Sequence, residues 1–94
     1  MNRVDRLDLL RREIDDIDEQ LVRLLNERAK CALAVGRDKK VSGLEVYQPV
    51  REAEVLSHVQ RITRGPLDDA AVKRLFERII DEARRLERMA DGLQ

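Results

Sequence analysis

Cysteine occurs once, at Cys31, tryptophan is absent, and one tyrosine and one phenylalanine hold the aromatic share to 2%. A single cysteine excludes an intrachain disulfide and a cysteine-built metal cluster, and the scarcity of aromatic residues argues against a sheet. Charge of one sign is also missing: 19 Lys and Arg stand against 19 Asp and Glu. A balance of zero disfavours a surface that gathers nucleic acid or anionic lipid through bulk field, so any electrostatic work must be local. No segment resembles a signal peptide, and no apolar run is long enough to span a bilayer. With 94 residues there is room for one domain, spanning 1–94 with a core from about 5 to 90, and none for a second folded unit. The expectation is a soluble protein of the reducing cytoplasm, with no metal and no cofactor.

Charged residues make up 40% of the chain and hydrophobic residues 43%, with only four glycines and two prolines to interrupt helices. This balance predicts an all-α fold. From Val4, the positions Leu7, Leu10, Ile14, Ile17, Leu21, Leu24, 28 and 31 alternate in steps of three and four, a heptad seam sustained over more than three heptads. Gly36 costs roughly 1 kcal/mol relative to alanine inside a helix, but the helix is expected to run through it to about Lys40. Ser42 to Tyr47 reads as a loop, and Pro49 suits the first turn of a second helix because its missing N–H would find no partner there. Glu52, Val55, Leu56, Val59 and Ile62 share one face of that helix. Arg64-Gly65-Pro66 is a stop, and Asp68 and Asp69 favour a third helix starting near 68 through capping and the helix dipole. Val72, Leu75, Phe76, Ile79, Ile80, Ala83, Leu86 and Ala90 then recur at helical spacing, and the tail from Ala90 is expected to fray.

A first helix of about 35 residues would be roughly 50 Å long, far beyond the ~12 Å radius of gyration of a compact chain this size. Its seam would stay uncovered unless a second chain lay along it, which predicts an interwoven helical dimer.

Arg28 sits in that seam, where a purely structural helix would carry another aliphatic residue. A lone seam Arg can also fix register or oligomer state, so position alone leaves both readings open. Lys39, eleven residues on, leaves the same face about 16 Å away, close enough for both side chains to pinch one small anion. Arg11 lies on the same flank but about 25 Å before Arg28, too far to serve the same metabolite from the same chain. Antiparallel pairing of two first helices would bring Arg11 of one chain near Arg28 and Lys39 of the other, forming two shared cationic pockets. Taken alone, Arg11 reads better as a solvated charge near the helix start, as Arg12 does. Glu52 and Glu87 fall on the apolar stripes of the second and third helices, either directed inward or flanking the stripe as ordinary ion-pair partners. Cys31, Ser57 and His58 each stand alone, and no nucleophilic triad or dyad is suggested.

Leu10-Arg11-Arg12-Glu13-Ile14-Asp15-Asp16-Ile17-Asp18, Leu21, Leu24, Leu25, Glu27-Arg28, Val35-Gly36, Lys39, Pro49, Arg51-Glu52, Leu75-Phe76 and Ile79-Ile80 together form an ordered frame. Over roughly residues 7–88 the chain resembles the all-helical chorismate mutases. The resemblance implies an intertwined homodimer of three-helix protomers, each with a long first helix, and two active sites that convert chorismate to prephenate in phenylalanine and tyrosine biosynthesis. It implies that Arg11 of the partner chain and Arg28 bind the substrate carboxylates as planar forked donors, and that Lys39 contacts a carboxylate and the ether oxygen. Glu52 would accept the ring hydroxyl beside the backbone of Gln48, Arg51 would support the pocket floor, and Val35 and Ile80 would supply apolar walls.

Two positions depart from the enteric bacterial pattern. Ala83 stands where a serine can help hold a carboxylate, so that donor is lost. Glu87 stands where those members carry glutamine as second donor to the ether oxygen, while other members carry glutamate. An ionised Glu87 would repel the charge that develops there and a protonated one would donate to it, so activity is expected to rise as pH falls. Two other readings share the frame: an isochorismate pyruvate lyase of the same fold, and a non-catalytic helical dimerisation or regulatory module. No dehydratase, dehydrogenase or synthase sequence accompanies the domain, which reads as a stand-alone mutase; an activating partner enzyme would not be visible.

Overall fold

The computed structural model describes residues 3–42 and 48–92, with side chains described up to Asp38 in the first stretch. Three helices follow in order: α1 (Arg3–Ser42), α2 (Pro49–Ile62) and α3 (Asp69–Ala90). The all-α expectation is met. α1 runs through Gly36 as expected and takes in Ser42, which the sequence places in the loop. The remainder of that expected loop, residues 43–47, lies outside the described residues, as do the last two residues of the tail.

α2 begins at Pro49, the first-turn position expected from its missing N–H, with Gln48 as N-cap. It ends at Ile62, and Thr63 turns to extended backbone. The stop therefore acts earlier than Gly65, whose φ of +80° places the left-handed residue inside the connection rather than at the helix terminus. The Thr63 hydroxyl spans this connection by donating to the Leu67 carbonyl at 2.7 Å. α3 starts at Asp69 with Asp68 as its cap, whose carboxylate accepts from the Ala71 N–H at 2.8 Å. That bond satisfies one of the donors every helix start leaves open, and capping of this kind contributes about 1 kcal/mol.

Contacts divide the chain into two units, Met1–Lys30 and Cys31–Gln94. The first is a single helical stretch. Its seam residues Val4, Leu7, Leu10, Ile14, Ile17, Leu21 and Leu24 are 45–64% exposed.

In the second unit α2 packs against α3. Glu52, near the start of α2, meets Arg84 near the end of α3, while the Gln60 amide, near the end of α2, donates to the carbonyl of Asp69 at the start of α3. The two helices therefore run antiparallel. Val59, Val72 and Ile80 form the buried core between them, joined by one buried charged residue, Glu87. Two residues expected on the apolar faces are not covered: Ile62 is 58% exposed and Leu75 53%. Ile62 closes α2 where the chain leaves for the connection, and neither side chain gains cover from a two-helix pair.

Candidate functional site

The site is read most clearly from α3. Ile80, Ala83, Arg84 and Glu87 stand three, four and seven residues apart, so they share one helix face. Ile80 is buried, Ala83 and Arg84 are half-buried, and Glu87 is 9% exposed, unusual cover for a carboxylate. Two other elements of the same unit meet this face. From α2, Glu52 reaches Arg84, with Oε2 at 3.5 Å from Nε and the two side chains 21% and 27% exposed. From the end of α1, Gly36 lies against the Glu87 side chain. An acid on α2, a guanidinium on α3 and a second acid on α3 thus converge beside the buried Ile80.

Arg84 does two things at once. Its Nη2 is paired with Asp81 one turn earlier on α3, while its Nε faces Glu52 across the helix interface. A planar guanidinium with one edge anchored on its own helix is a preorganised partner for a carboxylate on the next, and it limits the rotamers open to Glu52. Glu52 also has its backbone fixed, since its N–H donates to the Gln48 carbonyl at 3.0 Å in the first turn of α2. Gln48 and Glu52 are therefore neighbours, as their expected roles require.

Among the other expected residues, Val35 is 52% exposed. Arg51 is exposed and borders a shallow surface on α2 together with Val50, Glu54, Ser57, His58 and Arg61, rather than joining the Glu52–Arg84 contact. In the first unit Arg11 is exposed and Arg28 half-buried. The Lys39 side chain lies outside the described residues. Among the described residues no group of three or more His, Cys, Asp or Glu side chains could hold a metal, and no helix is long and apolar enough to cross a membrane.

One residue, Arg84, escaped the reading of the sequence, and a second, Gly36, was read there without its neighbour on α3. Arg84 carried a detectable signal, a long cation four residues after Ile80 and three before Glu87, on an otherwise apolar stripe. Gly36 had a weaker one: a glycine retained inside a helix without a positive φ, which backbone geometry does not require.

Comparison with known proteins bears on this arrangement. The family described as chorismate mutase type II matches residues 10–88. The chain is 40% identical over 92 residues to a bifunctional chorismate mutase/prephenate dehydratase of Stutzerimonas stutzeri, covering 93% of this chain and 25% of that protein. It is 43% identical over 88 residues to the protein of the same description from Pseudomonas aeruginosa, covering 88% of this chain and 24% of that one. The chain thus spans about a quarter of the length of these curated relatives. Among solved structures, a chorismate mutase (form II) from Thermus thermophilus superposes with a TM-score of 0.85 at 34% identity, covering 87% of this chain and 93% of that one.

Proposed function

Because the chain belongs to the chorismate mutase type II family, we propose that it catalyses the intramolecular rearrangement of chorismate to prephenate, an isomerase step in phenylalanine and tyrosine biosynthesis. The observation that carries the reading is the extent of the family match: residues 10–88 take in Arg11, Arg28, Lys39, Glu52 and Glu87 together.

The reaction breaks an ether C–O bond as it forms a C–C bond in one concerted step. Atoms balance within the substrate, so no nucleophile, metal or proton acceptor is called for. A protein can accelerate such a step by holding the bent conformer, with its reacting carbons close, and by aiming donors at the ether oxygen as negative charge gathers there. In this reading Arg28 and the Arg11 of a partner chain grip the two carboxylates, Lys39 faces a carboxylate and the ether oxygen, and Glu87 is the second donor to that oxygen. The cover over Glu87 supports this, because a carboxyl held away from bulk water can keep one fixed geometry toward the substrate. Glu52 accepts the ring hydroxyl, held in place by Arg84, with the Gln48 backbone beside it. Arg51 supports the pocket edge, Ile80 and Val35 supply apolar surface, and Ala83 leaves a place where water can take over a missing donor.

The shared site requires a homodimer, and the exposed stripe of residues 4–24 supports one. Each Leu or Ile there is already about half covered by its own helix, so burying the rest against a second copy would contribute about 1 kcal/mol. A free, exposed Cys31 suits a reducing cytoplasm.

The test is a chorismate disappearance assay on the purified protein with identification of the product. Prephenate is expected, and Lys39→Ala should lose about a hundred- to a thousandfold in kcat by analogy with removal of one oxyanion donor. Salicylate and pyruvate from isochorismate, with chorismate untouched, would make the protein a lyase. A folded Lys39→Ala variant with unaltered turnover would remove the catalytic reading.

A further inference from the structure

Gly36 lies inside α1 with an ordinary helical φ, so its backbone would accept any L residue, and glycine there weakens the helix. The surroundings of Gly36 supply a steric reason for it. A methyl group built at Gly36 would meet Glu87 first: the three nearest heavy atoms are Cδ at 3.3 Å, Oε2 at 3.3 Å and Cγ at 3.4 Å, all of one side chain. Those separations fall inside the 3.5–4.0 Å of a comfortable carbon contact. The far end of an exposed glutamate would swing aside at little cost. Glu87 is 9% exposed and its Oε2 is buried, so the carboxyl must shift within packed surroundings.

We propose that Gly36 is a positioning residue that acts through Glu87: the missing side chain on α1 is the space that sets where the Glu87 carboxyl rests on α3. Its catalytic consequence rests on the reading that Glu87 donates to the ether oxygen, while the contact itself does not. A displacement of a few tenths of an ångström leaves substrate binding intact and degrades a hydrogen bond that matters only as charge develops. The glycine trades helix stability for donor placement.

The experiment is a double-substitution cycle on the full chain at fixed protein concentration, with Gly36→Ala made in the wild type and in Glu87→Ala. In the wild type, Gly36→Ala should lower kcat about five- to twentyfold with KM within about twofold, and Tm should not fall. In Glu87→Ala, where the space is vacated, the same change should raise Tm by about 4–8 °C and leave kcat where it was. An equal Tm gain in both backgrounds would show that the two residues are not coupled and would overturn the proposal. So would unaltered kcat in Gly36→Ala, or an equal kcat loss in both backgrounds, which marks general damage to packing. If Glu87→Ala does not fold, Glu87→Asp, one methylene shorter, takes its place in the cycle. A wild-type chain that does not turn over chorismate would defeat the functional reading alone, and the melting cycle would still decide the contact.

Discussion

Residues 3–30 and the α2–α3 pair are both built from amphipathic helix with apolar residues at three- and four-residue steps, yet they bury that stripe differently. In α2 and α3 the connection Thr63–Asp68 folds one helix back on the other, and Val59, Val72 and Ile80 disappear into the interface. In the first stretch no turn returns the chain, and its seven seam residues stay 45–64% exposed. Similar periodicity therefore yields an internal core where a short connection supplies a partner, and an uncovered stripe where none does. One region buries its stripe within its own chain; the other leaves its stripe exposed, and the proposed second copy would cover it.

The harshest way to break this contrast is to make one damaging substitution on each side of it. Ile17→Asp on the open stripe should abolish association and with it more than about 99% of mutase turnover, because a shared site cannot assemble; sedimentation and the chorismate assay read both. Val59→Ala in the closed core should instead lower Tm, by a stability loss of about 1–2.5 kcal/mol, while the oligomeric state holds. An Ile17→Asp chain that still associates and turns over would end the distinction.

Complementation sharpens it further. Arg11→Ala and Arg28→Ala should each be nearly inactive, but unfolding and refolding them together in equal amounts should restore about a quarter of wild-type activity, since half the dimers are mixed and each mixed dimer has one intact site. No recovery from two folded, associating variants would mean that the two arginines do not serve one site from two chains.

Within the closed region, Glu87→Gln addresses the buried acid. In the wild type, turnover should rise as pH falls, because the acid form donates to the ether oxygen and the anion repels it. The amide donates at every pH, so the variant should give a flat profile between about pH 5 and 8. A flat wild-type profile, or an unchanged one in the variant, contradicts the role given to Glu87.

The smallest effect belongs to Arg84→Met, which keeps the length of the side chain and removes the guanidinium that bridges Asp81 and Glu52. Freed from that constraint, Glu52 should hold the ring hydroxyl less well, raising KM about three- to tenfold with kcat changed less than about twofold. Steady-state kinetics distinguish this from a merely structural ion pair, which would move Tm and leave KM alone.

Helix positions were legible because each rests on local chemistry: the heptad steps of α1, Pro49 at the opening of α2, and Asp68 capping α3. Where legibility failed, a tertiary neighbour decided. Ile62 and Leu75 obey the apolar period but find nothing to pack against. At the sequence level Gly36 reads as a weak point in a helix and as part of the family frame; what a side chain there would meet lies 51 residues away at Glu87. Arg84 received no reading from the sequence, because Glu52, the partner that distinguishes it, is brought to it from α2.

The amino-acid order alone determined three helices, their boundaries to within a few residues and the ordered charged frame that marks the family, since periodicity, caps and breakers act over a turn or two of chain. Only the tertiary structure decided which carboxylate is covered, which guanidinium meets Glu52 and which side chain lies against Gly36. Those outcomes depend on distances between atoms far apart along the chain, and no local propensity encodes them.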